Sequence, residues 1–118
     1  MCYSKQGFAQ ETLMASAKTA IKAGSPKALT PYFGEVVEIN LDDEKSSYNR
    51  SQAEQALQNF FAKHPVESFE IVHQGTSKEG LKYAVGKYKS AGGSYRVYML
   101  IRQSGSSYTI ETLDFSLE

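Results

Sequence analysis

The chain has 118 residues, which is the usual size of a single domain with one hydrophobic core. Thirteen basic and thirteen acidic residues give a formal net charge of zero, so the chain lacks the basic surplus typical of nucleic-acid-binding domains. Its one cysteine, Cys2, excludes an intrachain disulfide and a cysteine metal cluster. No apolar run is long enough to span a bilayer. We predict a single domain over residues 8–118, preceded by a tail at 1–7.

The N-terminal residues leave two interpretations open. Met1–Gln10 lacks the apolar centre of a signal peptide. Cys2 directly after the first residue is a candidate lipid attachment site, as at the start of a lipoprotein whose signal was replaced by Met. The alternative is an incidental cysteine in a frayed terminus.

Three helices are predicted in the first half of the chain. Residues 8–23 carry one apolar stripe, and Gly24 ends that helix. Ser25 then reads as an N-cap and Pro26 as the first residue of a short helix. Ser51 and Glu54 have the spacing of a capping box that would open a third helix ending near His64. The predicted apolar stripes are Leu13, Met14, Ala17, Ala20 and Ile21 in the first helix, and Ala53, Ala56, Leu57, Phe60 and Phe61 in the third.

The remaining segments alternate as strands. Residues 35–41 place Val37, Ile39 and Leu41 on one face and Val36 on the other, and the polar stretch 42–49 reads as a turn. From residue 68 onward, four apolar runs are separated by glycine-containing turns at 78–80, 91–93 and 104–106, which predicts an antiparallel meander. Gly86 interrupts one strand and indicates a bulge or bend.

The strand that begins at Tyr95 is apolar on both faces. Val97, Met99 and Ile101 alternate with Tyr98 and Leu100. Because the few helices can cover only one side of the sheet, the other side is expected to meet a partner. A homodimer through the outer sheet face is the simplest prediction.

This element order resembles the cone-shaped α+β fold of the nuclear transport factor 2-like (cystatin-like) superfamily, in which a curved sheet wraps a long first helix. The run Ala20–Pro26, the Tyr32–Phe33 pair and the run Ala53–Phe61 also resemble a family of exported Bacteroidetes proteins. The resemblance implies a curved antiparallel sheet, three helices and an exported location, periplasmic or lipid-anchored. It implies very little chemistry.

A pocket in the cone is the site that the resemblance suggests. We expect a non-catalytic binding or assembly module that holds an apolar ligand there, although the same residues can simply fill the core. The candidate lining residues are Met14, Ala17, Ile21, Tyr32, Phe33, Leu57, Phe60 and Phe61.

The alternative function is a small lyase or isomerase like the ketosteroid isomerase-like members of the superfamily. Such enzymes place a carboxylate, phenol or imidazole inside the cone, where burial perturbs the pKa. Asp42 and Asp43 read better as a solvated turn, and Asp114 as an exposed strand residue. The possible hydroxyl donors are Tyr32, Tyr83 and Tyr95.

Other site types have little support. His64 reads as a helix C-terminal residue and His73 as structural, and their spacing does not suggest a metal pair. No cofactor motif is present, so no cofactor is expected. A basic cluster among tyrosines resembles a nucleic-acid surface, but zero net charge argues against that partner, and lysines on strands also protect sheet edges. Its members are Lys82, Lys87, Lys89, Arg96 and Arg102.

Overall fold

The computed structural model describes residues 5–76, 81–104 and 107–118. Helices α1 (Lys5–Ala23) and α2 (Pro26–Leu29) lead through a 3-10 turn (Thr30–Tyr32) into strands β1 (Phe33–Leu41) and β2 (Glu44–Tyr48). Helix α3 (Arg50–Lys63) precedes four strands: β3 (Val66–Thr76), β4 (Lys82–Ser90), β5 (Gly93–Ser104) and β6 (Ser107–Leu117). The α+β class is confirmed. Cys2, the predicted turn at 78–80 and most of the turn at 104–106 lie outside the described residues, so lipid attachment stays a prediction.

The start of α2 agrees with its sequence signals. The Ser25 hydroxyl accepts a hydrogen bond from the Ala28 backbone N–H at 3.2 Å, and Pro26 occupies the first helical turn. Proline suits this position because the N–H it lacks would have no partner inside the helix.

The predicted capping box of α3 is wrong by two residues. Asn49, not Ser51, is the N-cap: its side-chain oxygen accepts from the Gln52 N–H at 2.9 Å. The Gln52 side chain in turn accepts from the Asn49 N–H at 3.0 Å. Asn is as good an N-cap as Ser, and Gln replaces Glu in the reciprocal bond. Two overlapping motifs were therefore present, and the chain uses the earlier one.

The sheet has the strand order β2-β1-β6-β5-β4-β3. Strands β3 to β6 pair antiparallel in sequence order, which confirms the meander. Strand β1, however, pairs parallel with β6, so the sheet is mixed rather than wholly antiparallel. Strand β2 lies within the stretch predicted to be a polar turn. It is an exposed edge strand that pairs with β1, and its sequence lacks the apolar alternation that would reveal a strand.

The two faces of this sheet have different surroundings. We call the side that packs on α1 and α3 the covered face and the opposite side the open face. The predicted stripes of α1 and α3 join the covered-face residues in one core, apart from Ala56, which is partly exposed. On β5, Val97, Met99 and Ile101 are at most 1% exposed, whereas Tyr98 and Leu100 lie half-buried on the open face. The prediction that β5 is apolar on both faces is confirmed.

Gly86 lies beside a bulge, as predicted, although the extra residue belongs to β3. The β3–β4 register shifts between Ile71 and His73, opposite Gly86 and Val85. A side chain at Gly86 would place its Cβ 2.7 Å from the Phe69 ring and 2.8 Å from the Glu70 carbonyl oxygen. The absence of a side chain therefore lets the Phe69 ring pass over this point of β4.

None of the helices in the described part of the chain is long and apolar enough to cross a membrane.

Candidate ligand pocket at the end of helix α3

A pocket of about 420 Å³ opens between the last turns of α3 and the β1–β2 hairpin. This volume falls in the range of small-molecule sites. One wall comes from the hairpin, the other comes from α3, and aromatic rings contribute to both. The lining residues are Leu41, Asp42, Glu44, Tyr48, Ala56, Asn59, Phe60, Lys63 and His64.

The hairpin wall is built on a two-residue turn. Leu41 pairs with Glu44, and Asp42 and Asp43 between them have φ angles of 56° and 75°. Positive φ at both central residues is the pattern of a type I′ turn, in which Asp is tolerated. The Asp42 N–H donates to the Phe115 carbonyl oxygen at 2.9 Å, which ties the turn to β6. The predicted turn at Asp42–Asp43 is confirmed, and the turn also forms part of the pocket.

Aromatic rings form the inner side of the pocket. The Phe60 ring centroid lies 4.9 Å from that of His64, 5.2 Å from Tyr95 and 4.8 Å from Phe115. Rings at these separations attract one another beyond the area they bury. Phe60 is 6% exposed and is thus held firmly by the core beneath it.

His64 is positioned by two tyrosines. Its backbone N–H donates to the Phe60 carbonyl at 2.9 Å, so it closes α3 as predicted. Its own carbonyl oxygen accepts from the Tyr88 hydroxyl at 2.6 Å. The Tyr95 hydroxyl oxygen lies 3.4 Å from each ring nitrogen of His64. Strands β4 and β5 therefore hold the end of α3 in place.

Both tyrosines are kept in the neutral form. Burial, with a smaller contribution from Tyr95, raises the pKa of Tyr88 to about 12. Burial, with a smaller contribution from the Asp42 charge, also raises the pKa of Tyr95. At neutral pH both hydroxyls are therefore protonated, and that of Tyr88 donates its hydrogen bond to the His64 carbonyl oxygen.

The two carboxylates of the pocket lie at the surface. Asp42 and Glu44 are exposed to solvent, whereas a catalytic acid or base is usually at least partly buried. Within the described residues, no group of three or more His, Cys, Asp or Glu could hold a metal ion. The arrangement can bind a ligand through charges, an amide and ring faces.

Charge is divided between the two walls. Asp42 and Glu44 stand on the hairpin, and Lys63 stands on α3 with the Asn59 amide one turn before it. The ion pairs of the described residues are Lys45–Glu38, Lys87–Glu118 and Arg102–Glu111, and none of them crosses this pocket. The opposite charges of the two walls thus face an open space.

The eight residues predicted to line an internal cavity lie mostly in the core. Phe60 lines the pocket described above, and Tyr32 lines a separate groove of about 330 Å³ beside α1 and α2. An apolar ligand within the cone stays a prediction. The other six are at most 7% exposed and belong to the core: Met14, Ala17, Ile21, Phe33, Leu57 and Phe61.

The other candidate acid and hydroxyl groups lie on the open face. Asp114 is half-buried there and accepts hydrogen bonds from the Asn40 amide at 3.1 Å and the Ser116 hydroxyl at 2.6 Å. The Tyr83 hydroxyl oxygen lies 3.2 Å from Nε2 of the exposed His73. Of the tyrosines proposed as donors, Tyr95 is the one placed beside this pocket.

The predicted basic cluster is not one surface. Lys87 pairs with Arg96 on the open face, but Lys82 pairs with the fully buried Ile101 and so lies on the covered side. Arg102 is engaged by Glu111 through two hydrogen bonds of 3.0 and 2.9 Å. The suggestion that these lysines protect a sheet edge is also wrong, because β4 and β5 are interior strands.

A third hollow, of about 380 Å³, lies where β1 and β6 lose their register between Phe33 and Glu38. Its charged lining includes Arg102 and Glu111, which already form an ion pair with each other. The pocket at α3 is therefore the stronger candidate.

Sequence reasoning missed Asn59, Lys63, Glu44 and Tyr48 as pocket residues. Ala56, Asn59 and Lys63 recur at helical spacing, which could have indicated a second face of α3. Glu44 and Tyr48 carried no signal, because the strand that holds them was not recognised.

Comparison with known proteins places the chain in a family. Residues 14–116 match the model of a domain of unknown function, DUF4783. The chain belongs to this family. A DUF4783 family protein from Bacteroides uniformis has a solved structure with a TM-score of 0.81 and 25% identity, covering 88% of this chain and 95% of that one. The predicted resemblance to a Bacteroidetes family is confirmed.

More distant structures support the fold alone. An NTF2-like protein of unknown function from Shewanella baltica has a TM-score of 0.69 at 11% identity, covering 100% of this chain and 98% of that one. A domain of unknown function with a cystatin-like fold, from Nostoc punctiforme, has a TM-score of 0.71 at 13% identity, covering 99% of this chain and 80% of that one. The predicted nuclear transport factor 2-like, cystatin-like fold is thus confirmed. No curated protein sequence matches the chain significantly.

Proposed function

We propose that the protein is a non-catalytic binding module and that its site is the pocket between α3 and the β1–β2 hairpin. The observation that carries this proposal is the opposite charge of the two walls. Asp42 and Glu44 line the hairpin side of a pocket of about 420 Å³, and Lys63 lines the α3 side. A small zwitterion, such as a free amino acid or a dipeptide, matches this pattern. Its ammonium group meets the hairpin carboxylates, and its carboxylate meets Lys63 and the Asn59 amide.

The rings support the same ligand class. Phe60, Tyr48 and His64 offer apolar faces to the body of the ligand between its charged ends. Ring faces also attract an ammonium group. Because Tyr88 and Tyr95 already hold His64, the inner side of the pocket needs little ordering when a ligand binds.

No comparable observation favours the lyase or isomerase alternative. That reaction calls for a carboxylate buried opposite a phenol or imidazole, and the pocket carboxylates are exposed.

Isothermal titration with L-leucine, L-phenylalanine and glycyl-leucine tests the proposal. We expect at least one of these probes to bind, and Lys63→Gln and Asp42→Asn each to weaken it roughly 10- to 100-fold, the value of one charge-assisted hydrogen bond. Asn tolerates the positive φ at position 42, so the turn is retained. Lys18→Gln, on the exposed side of α1, is the matched control and leaves binding unchanged. Absence of binding by all three probes at millimolar concentration, or binding that neither pocket variant weakens, would overturn the proposal.

A further inference from the structure

The pocket at α3 has two distinct ends, because the helix runs back along the hairpin that precedes it. Helix α3 begins directly after Tyr48, the last residue of β2, with Asn49 as its N-cap. Its other end lies beside the hairpin turn. The Asp42 N–H donates to the carbonyl oxygen of Phe115, whose ring centroid lies 4.8 Å from that of Phe60 near the end of α3. The last turn of α3 and the tip of the hairpin therefore form one end of the pocket.

The charged groups of the pocket gather at this end. Lys63 is the last residue of α3, and Asp42 belongs to the hairpin turn. Glu44 is the first residue of β2, and Asn59 lies about one helical turn before Lys63. The opposite charges of the two walls therefore face each other across the width of the pocket and are not spread along its length.

The other end of the pocket is lined by Ala56 and Tyr48. Ala56 lies seven residues before Lys63, which is about 10 Å along the helix axis. Tyr48 lies four residues after Glu44, about 13 Å along the strand. Both residues are partly exposed, and Tyr48 also packs against the core. Because Ala56 carries only a methyl group, the space between α3 and β2 stays open at this end.

We propose that the ligand is a free α-amino acid with a large apolar side chain and that Ala56 limits the length of that side chain, an inference that rests on the function proposed above. An α-amino acid carries its ammonium and carboxylate on one carbon, so both groups meet the opposite walls at the charged end. Its side chain then extends toward Ala56 and Tyr48. A dipeptide carries its two charges at the ends of a longer chain, which fits a pocket with charges at opposite ends.

The substitution Ala56→Leu tests this inference, because it fills the apolar end and both residues favour helix. Isothermal titration uses L-valine, L-leucine, L-phenylalanine and glycyl-leucine. We expect the wild type to bind phenylalanine and leucine more tightly than valine, and glycyl-leucine about 10-fold more weakly than leucine. In Ala56→Leu the affinity for phenylalanine falls about 10-fold or more, whereas that for valine changes less than about 3-fold. The control Ala62→Leu, on an exposed side of α3, retains the wild-type affinities.

The outcomes separate this inference from the proposed function. If the wild type binds none of the four probes, both fail. If it binds them but Ala56→Leu weakens valine and phenylalanine equally, or weakens neither, the role of Ala56 is overturned and the binding site stands. Glycyl-leucine that binds as tightly as leucine would overturn the assignment to free amino acids. If circular dichroism shows that Ala56→Leu does not fold, Ala56→Met takes its place and the same criteria apply.

Discussion

The covered and open faces of the sheet are built from the same strands, yet adjacent residues on them have different roles. On β5, Met99 is 1% exposed in the core, while its neighbour Leu100 is half-buried on the open face. The covered face is closed by α1 and α3 with a dense set of rings around Phe60. The open face combines half-buried apolar side chains such as Tyr98 with exposed charges of both signs, among them the neighbours Glu70 and Lys87. An apolar residue in a strand therefore indicates that its side chain packs against other atoms. Only the tertiary structure shows whether that packing lies in the core.

The largest expected difference between the faces comes from that pair of neighbours on β5. Met99→Ala leaves a cavity in the core and should lower the free energy of unfolding by about 2–5 kcal/mol. Leu100→Ala removes side-chain atoms that are partly solvated, and should cost less than about 1 kcal/mol in dilute protein. Urea denaturation at low micromolar concentration measures both values. Equal losses at the two positions would show that the open face is as tightly packed as the core.

Alkaline pH should reveal the burial of one tyrosine on the covered face. Burial raises the pKa of Tyr88 from 10.0 to about 12, so its contribution to stability is complete below pH 10 and is lost as the pH rises through 12. A pKa difference of this size between the folded and unfolded states corresponds to roughly 2–3 kcal/mol of folding stability. We expect the unfolding free energy to fall less steeply with pH in Tyr88→Phe than in the wild type. Equal slopes for Tyr88→Phe and the wild type would contradict this expectation.

The smallest effect should come from two glycines. Gly86→Ala directs a methyl group at the Phe69 ring and at the Glu70 backbone, which cannot easily move, and should cost about 1–3 kcal/mol. Gly75→Ala meets the end of the Tyr83 ring on the open face, with the hydroxyl oxygen at 2.6 Å and Cζ at 2.8 Å. Its cost should be less than about 1 kcal/mol, because this side chain is only half-buried and can turn aside about χ1. Thermal unfolding of the two variants measures the difference, and a larger loss for Gly75→Ala would contradict it.

Sequence periodicity predicted most of the fold, because elements that bury one side against the covered face must repeat apolar residues at a regular spacing. The stripe of α1 and the alternation of Val37 and Ile39 follow directly from burial on one side. The misses occur where burial leaves no pattern. Strand β2 is exposed along nearly its whole length, and the α3 cap depends on a choice between two similar local motifs.

The candidate pocket was harder to predict because its parts are distant in the chain. Asp42, His64 and Tyr95 come from three separate elements, and only their packing brings them together. His64 was predicted to end α3, and Asp42 to lie in a turn. Neither position revealed that the two side chains border one space.

The sequence by itself determined the helices, the meander, the two-sided character of β5 and the family resemblance, because these depend on short-range periodicity and local motifs. It also places only cations on β4 and β5 and only anions on β1 and β6, a division that β2 and β3 do not follow. Tertiary structure alone decided that β1 pairs in parallel with β6, which brings both acidic strands together beside the basic ones. Strand order depends on which edges meet when the helices pack on the sheet, and no local pattern in the chain encodes that choice.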